Sequence, residues 1–179
     1  MKSLILTSLT FVLFVLSPNL QAQKFTKMDA SPMDIAMFRG QDKAPIVRVI
    51  YSRPQKKDRE IFGKLIKYDE VWRTGANEST EITLYKDMMI GEETVEAGTY
   101  TLFTIPGEKE WTIILNKDMN TWGAFGYKEE RDVVRIKTPT RNLTTPIEEF
   151  SITFQPKEGG ADMLMGWDDT YVQIPFEEI

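Results

Sequence analysis

Short β-forming stretches recur roughly every ten residues along most of this chain, and their spacing limits the fold more than any other feature. They are rich in β-branched and aromatic residues and are separated by glycine, proline and polar residues. The best helical pattern, 60–71, is short and contains Gly63. We therefore predict an all-β fold, an antiparallel β-sandwich that is jelly-roll-like or similar, with at most one or two short helical turns. The predicted strands are 46–51, 80–85, 99–105, 111–115, 133–136, 150–154, 163–167 and 171–176.

Residues 1–22 have the pattern of a cleavable signal peptide. Lys2 is followed by an apolar stretch over 4–16, which is too short for a comfortable membrane span of about 20 residues. Ala22 is a small residue suited to signal peptidase. We expect a leader over 23–45, a single β-sandwich domain over 46–179, and a periplasmic or extracellular protein with no stable membrane span. The alternative is a retained N-terminal anchor.

The chain contains neither cysteine nor histidine. It therefore has no disulfide, no thiolate ligand, no cysteine nucleophile and no imidazole base. We predict no cofactor and no metal site. Any catalysis would depend on carboxylates, Lys, Tyr, Ser or Thr, or on a metal held by oxygens. The formal net charge of −5 argues against nucleic acid as a partner, because phosphate binding needs clustered Lys and Arg.

Several linked phrases between residues 51 and 136 resemble domain-of-unknown-function family 2911, a family of exported bacterial proteins. The most specific phrase is Trp-Arg-Thr-Gly-Ala-Asn-Glu, which ends at Glu78. One departure is Lys57-Asp58-Arg59, where the family usually has Lys-Gly-Arg. The resemblance implies export and brings no established activity, so it assigns no catalytic residue. The phrases are YSRP (51–54), IFG (61–63), VWRTGANE (71–78), AGTY (97–100), FTIPG (103–107) and WG (122–123).

A cluster of polar and aromatic residues within 69–80 is the strongest candidate for a ligand site. Arginine offers a planar fork of donors for a carboxylate or phosphate, and glycine allows close approach of the backbone. The structural alternative is that Trp72 fills the core, Arg73 pairs with Glu78, and 75–77 form a tight turn. The candidate ligand-binding residues are Arg53, Trp72, Arg73, Asn77, Glu78 and Trp122.

Two further features have both a functional and a structural interpretation. Trp122 begins a glycine-containing loop over 122–127, where exposed aromatic rings could stack on sugars. Asp168-Asp169, at the tip of the last predicted hairpin, could contact calcium, although a turn is the better interpretation.

Three functions remain open. The first is a non-catalytic exported module that binds a small polar ligand or glycan. The second is a hydrolase or another enzyme that uses carboxylate acid/base chemistry, with Glu78 as the acid or base. The third is an envelope module that recognises another protein through its edge strands. The interpretation leans away from an enzyme, and the sequence does not indicate an oligomeric state.

Overall fold

The computed structural model describes residues 23–179, so the predicted signal peptide, 1–22, lies outside the described residues. Within the described part of the chain, no helix is long and apolar enough to cross a membrane. The short helix there is a 3-10 turn at Glu129–Arg131. Residues 60–71 consist of turns, and Gly63 has a positive φ of 86° at their centre.

Ten strands form two antiparallel sheets, which confirms the predicted all-β sandwich. The first sheet has the order β1-β2-β3-β6-β7-β8 and the second has the order β5-β4-β10-β9. The strands are β1 (Met33–Arg39), β2 (Pro45–Ser52), β3 (Thr80–Leu84), β4 (Met88–Ile90), β5 (Glu93–Val95), β6 (Gly98–Ile105), β7 (Glu110–Asn116), β8 (Asp132–Pro139), β9 (Arg141–Lys157) and β10 (Gly160–Glu178).

The hydrophobic core lies between the two sheets. Val47 and Val49 of β2 are fully buried, as are Met163 and Met165 of β10. Each pair is separated by one residue that is only partly buried, as expected for strands whose alternate side chains face the core. Burying each such side chain stabilises the fold by about 1.5–3 kcal/mol.

The structure differs from the sequence expectation in the segment 23–45, which was predicted to be a leader. β1 pairs antiparallel with β2, with Phe38 opposite Val47, and forms the edge of the first sheet. Phe38 is buried, whereas Met33 and Ile35 are largely exposed. Since apolar residues occupy both faces of β1, the alternation typical of a half-buried strand is hidden. The domain therefore includes β1.

The last two predicted strands, 163–167 and 171–176, form one continuous strand, β10. Asp168 and Asp169 therefore do not form a hairpin tip, and this expectation is wrong. The β9–β10 register shifts on either side of Asp168, whose φ is 56°. The Asp168 carboxylate accepts a 2.6 Å hydrogen bond from Lys56 Nζ. Among residues 23–179, no group of three or more acidic side chains is placed to hold a metal ion.

Candidate functional site

Arg53, a predicted site residue, joins three strands. Its Nε donates to the carbonyl of Phe150 at 3.2 Å, and one terminal nitrogen donates to Ser151 Oγ at 2.8 Å. The other terminal nitrogen lies 2.9 Å from Asp34 Oδ2 in β1. Because each guanidinium nitrogen has a partner within the protein, Arg53 fastens β2 to β1 and β9.

Trp72 lies in the core and fills the space between the sheets. Its side chain is 7% exposed, and its Nε1 donates to the carbonyl of Gly75 at 3.0 Å. The indole packs edge-on against Phe150 at 5.0 Å and is stacked with Trp167 at 6.2 Å between ring centroids. Trp72 therefore anchors the start of the loop that carries the other predicted residues.

The loop after Trp72 is held in a strained conformation. Trp72 and Thr104 exchange two backbone hydrogen bonds of 2.7 and 3.0 Å, and Thr80 Oγ1 donates to the Thr74 carbonyl at 2.6 Å. Thr74 is β-branched, yet its φ is 57°. Such a conformation costs of order 1–3 kcal/mol and persists only where the surroundings impose it. Buried hydrogen bonds from Thr74 to Trp72 and Thr104 impose it here.

Arg73 lies within this strained loop, and its guanidinium is only partly satisfied. The Nε atom is buried and has no hydrogen-bond partner among the described residues. No ion pair within 23–179 includes Arg73. Burial lowers the pKa of Arg73, and no carboxylate offsets this effect. The pairing with Glu78 considered from the sequence is not made.

Arg73 lines a cavity of about 520 Å³, which we call the Arg73 cavity. This volume is within the usual range for small-molecule sites. Its apolar lining includes the edges of Trp72 and Trp167 and the exposed side chains of Leu65 and Phe125.

The charged lining of the Arg73 cavity is mostly cationic. Arg59 and Lys67 join Arg73, and Glu70 is the carboxylate that lines the cavity within the described part of the chain. Lys67 Nζ lies 3.2 Å from Glu70 Oε1, and both side chains are mostly exposed. An excess of two positive charges therefore surrounds the cavity.

Sequence reasoning missed Arg59, which belongs to a charged stretch interpreted as a solvated loop. The Arg59 side chain donates to the carbonyls of Gln55 and Lys56, which orients the guanidinium at the cavity wall. Lys57 and Asp58 both have positive φ, 50° and 56°. Aspartate tolerates this region better than most residues, which explains how it can stand where the resemblance places glycine. Lys67 was also missed. Phe125 belongs to the predicted aromatic loop over 122–127, but nothing in the local sequence links that loop to Arg73.

Asn77, Glu78 and Trp122 lie together in a second, shallower site of about 300 Å³, which we call the Trp122 depression. Asp29 and Ser31 line it too, and Ser31 also lines the Arg73 cavity. The Asn77 side chain donates to Asp29 Oδ1 at 3.0 Å. A hydrogen bond from the Ser31 backbone and this bond from Asn77 lower the pKa of Asp29. Because Ser31 lines both sites, the Trp122 depression adjoins the Arg73 cavity.

Trp122 is 62% exposed although its backbone is firmly held. Glu78 and Trp122 form a β-bridge, and the Gly123 amide donates to the Asn77 carbonyl at 3.2 Å. The Ser79 amide donates to the Thr121 carbonyl at 2.9 Å. The indole is thus presented on a supported segment.

The far end of the same loop is fixed by a polar network in which the Asp132 side chain is buried and Arg135 is exposed. Tyr127 Oη donates to Asp132 Oδ2 at 2.6 Å, and Arg135 contacts both groups at 2.7 Å. Asn116 donates to the other Asp132 oxygen at 2.7 Å. Burial is the main cause of the raised pKa of Tyr127, and the hydrogen bond to Asp132 raises it further. These contacts hold the loop that carries Trp122 and Phe125.

Fold and site together define a two-sheet β-sandwich protein with a cation-lined cavity beside an exposed aromatic surface. The chain matches the family described as "Protein of unknown function (DUF2911)" over residues 31–176, and it belongs to that family. The matched region begins just before β1, in agreement with the place of β1 in the sheet. No curated protein and no solved structure shows significant similarity to the chain.

Proposed function

We propose that this protein binds a small organic anion in the Arg73 cavity. The observation that carries the proposal is the half-buried guanidinium of Arg73, whose Nε has no partner among the described residues. A buried polar group without a hydrogen bond costs free energy. A carboxylate or phosphate in the cavity would accept hydrogen bonds from the terminal guanidinium nitrogens, since its oxygens match the planar donors of arginine.

The charge around the cavity supports the same proposal. The chain has a formal net charge of −5, yet Arg59, Lys67 and Arg73 line one cavity together with only one carboxylate, Glu70, of the described residues. A local excess of positive charge raises the concentration of anions there and speeds their association. Leu65 and Phe125 add apolar surface, which favours an organic anion over a bare inorganic ion.

Binding is better supported than catalysis. The enzyme hypothesis uses Glu78, which is exposed and does not line the Arg73 cavity. Glu78 borders the Trp122 depression and also, with Glu81, a separate cavity of about 270 Å³, where Glu81 lies 3.7 Å from Arg48 in an ion pair. Glycosidase chemistry requires two carboxylates that face one cleft. Within 23–179 the Arg73 cavity has only Glu70, which pairs with Lys67.

We further propose that the protein acts in the periplasm or outside the cell, after removal of residues 1–22. The proposal rests on the signal-peptide pattern of these residues.

The proposed function is tested by NMR on residues 23–179, using the Nε–H signal of Arg73. Two probes are titrated separately, inorganic phosphate and galacturonate, with neutral galactose as the uncharged control. We expect a saturable shift of the Arg73 signal with at least one anion and none with galactose. Arg73→Gln lacks this signal, so calorimetry with the same two anions is used for it and should detect no binding. Arg141→Gln, which removes an exposed arginine that does not line the cavity, should keep the saturable shift. No saturable shift with either anion would contradict the proposal.

A further inference from the structure

We infer that the ligand is a saccharide that carries a carboxylate and extends from the Arg73 cavity into the Trp122 depression. This inference rests on the proposed function, because the carboxylate is the group bound at Arg73. The inference adds the Trp122 depression as a second subsite and assigns a sugar ring to it.

The two sites adjoin at a common lining residue, Ser31. One loop also borders both of them: Phe125 lines the Arg73 cavity and Trp122 lines the depression. The two aromatic side chains are 89% and 62% exposed. A ligand with its anionic group at Arg73 therefore meets an exposed ring in each site.

Gly123 brings this loop close to Arg73. Its φ is 68°, and a Cβ built on it would stand 2.8 Å from the Phe125 ring and 3.6 Å from an Arg73 guanidinium nitrogen. A side chain at this position would displace Phe125, and a positive φ suits glycine in any case. The loop that carries both aromatic residues therefore passes close to the cationic group at Gly123.

The chemistry of the Trp122 depression suits a sugar ring. A pyranose has an apolar C–H face that can lie on a flat aromatic surface, and hydroxyl groups around its rim. Trp122 provides the surface, while the carboxylates of Asp29 and Glu78 and the amide of Asn77 provide acceptors and donors at its edge. The backbone that carries Trp122 needs no ordering on binding, because residues 77–79 already hold it.

The test compares the binding of galacturonate with that of a linear trimer in which one galacturonate is joined to two neutral galactose units, by calorimetry on residues 23–179. We expect the trimer to bind roughly tenfold or more tightly, because its added rings bind as part of the same molecule. Trp122→Ala should reduce trimer affinity to roughly that of the monomer and leave monomer affinity within about twofold. Trp122→Tyr, which keeps a flat ring, should retain most of the gain. Arg73→Gln should abolish binding of both.

Controls separate this inference from its alternatives. Tyr85→Ala, which removes an exposed ring that lines neither site, should leave trimer affinity unchanged. Equal affinity for galacturonate and the trimer, or no effect of Trp122→Ala on trimer affinity, would overturn the inference. A tri-aspartate peptide or neutral galactotriose that binds as tightly as the trimer would also overturn it. If phosphate or galacturonate shifts the Arg73 signal and the trimer gains nothing, only the second subsite is disproved. If neither anion shifts it, both proposals fail.

Discussion

At the residue scale, Arg53 and Arg73 have the same side chain and opposite environments. Arg53 uses all three guanidinium nitrogens within the protein, toward Asp34, Phe150 and Ser151. Arg73 is half-buried, and its Nε has no partner among the described residues. The first arginine therefore contributes to folding, whereas the second is the group to which the proposed function assigns the ligand.

This contrast predicts opposite effects on thermal stability. Arg53→Ala should lower the free energy of unfolding by about 1.5–3 kcal/mol, because hydrogen bonds to charged groups are lost. The melting temperature should fall by roughly 4–10 °C for a domain of this size. Arg73→Met, which removes an unpaired buried charge, should change it by less than about 3 °C or raise it. Calorimetry on residues 23–179 measures both. A fall beyond roughly 10 °C for Arg73→Met would mark Arg73 as part of the scaffold, and we would withdraw the cavity as a binding site.

At the scale of elements, the loop over 117–131 has little regular structure, yet the segment around Trp122 and the end of the loop near Tyr127 are both fixed. Residues 77–79 hold it near Trp122, and the network of Tyr127, Asp132 and Arg135 holds its end. Loops that carry binding residues on a rigid sheet are common. Here β7 supplies Asn116, which donates a hydrogen bond to Asp132. Its neighbour β6 supplies Phe103, which packs on Tyr127.

Removal of the Tyr127 hydroxyl should loosen this loop. Tyr127→Phe leaves a buried Asp132 oxygen with one donor fewer, so we expect a loss of about 1–3 kcal/mol in stability. Hydrogen exchange at the Gly123 amide, which bonds to Asn77, should become faster by more than this global loss explains. Tyr85→Phe, at an exposed tyrosine, is the matched control and should change neither quantity. Exchange at Gly123 that follows global stability alone would contradict the role assigned to the network.

The elements also explain what could be predicted from the sequence. β2, β3, β6 and β7 follow β-branched or alternating patterns, and the predicted bounds agree within one residue at each end. β1 was missed because Met33 and Ile35 place apolar residues on its exposed face. β10 was divided in two at Asp168, where a bulge keeps the strand continuous.

The candidate site was only partly predictable for a related reason. Arg73 and Trp122 stand out locally, since each is next to a glycine-containing loop. Arg59 lines the same cavity from a separate turn that precedes Arg73, and Phe125 lines it from a loop much later in the sequence. Such long-range convergence depends on how the sheets pack, which local patterns do not contain.

At the scale of the whole molecule, residues near the start of the described chain already contribute to the Trp122 depression. Asp29 and Ser31 line the Trp122 depression and precede β1. Cleavage after Ala22 would keep both residues and the whole matched region, which starts at residue 31. Export with removal of residues 1–22 is therefore compatible with an intact site.

This proposal predicts that the exported protein begins at Gln23. Ala22 supplies the small side chain that signal peptidase prefers, and a polar residue follows it. N-terminal sequencing of protein recovered from the periplasm or the medium provides the measurement. A chain that still begins at Met1 and remains in the membrane fraction would contradict both cleavage and release.

The conformation of Thr74 links ligand binding to folding through mass action. In the free protein, the strained backbone at Thr74 and the unbonded Nε of Arg73 both oppose stability. On the proposed function, occupancy satisfies Arg73, and a ligand at one hundred times its dissociation constant stabilises the folded state by about 2.7 kcal/mol. Under this proposal, the two residues that lower the stability of the empty protein are the ones that prepare it to bind, a trade-off between binding and stability located in a single turn of the backbone.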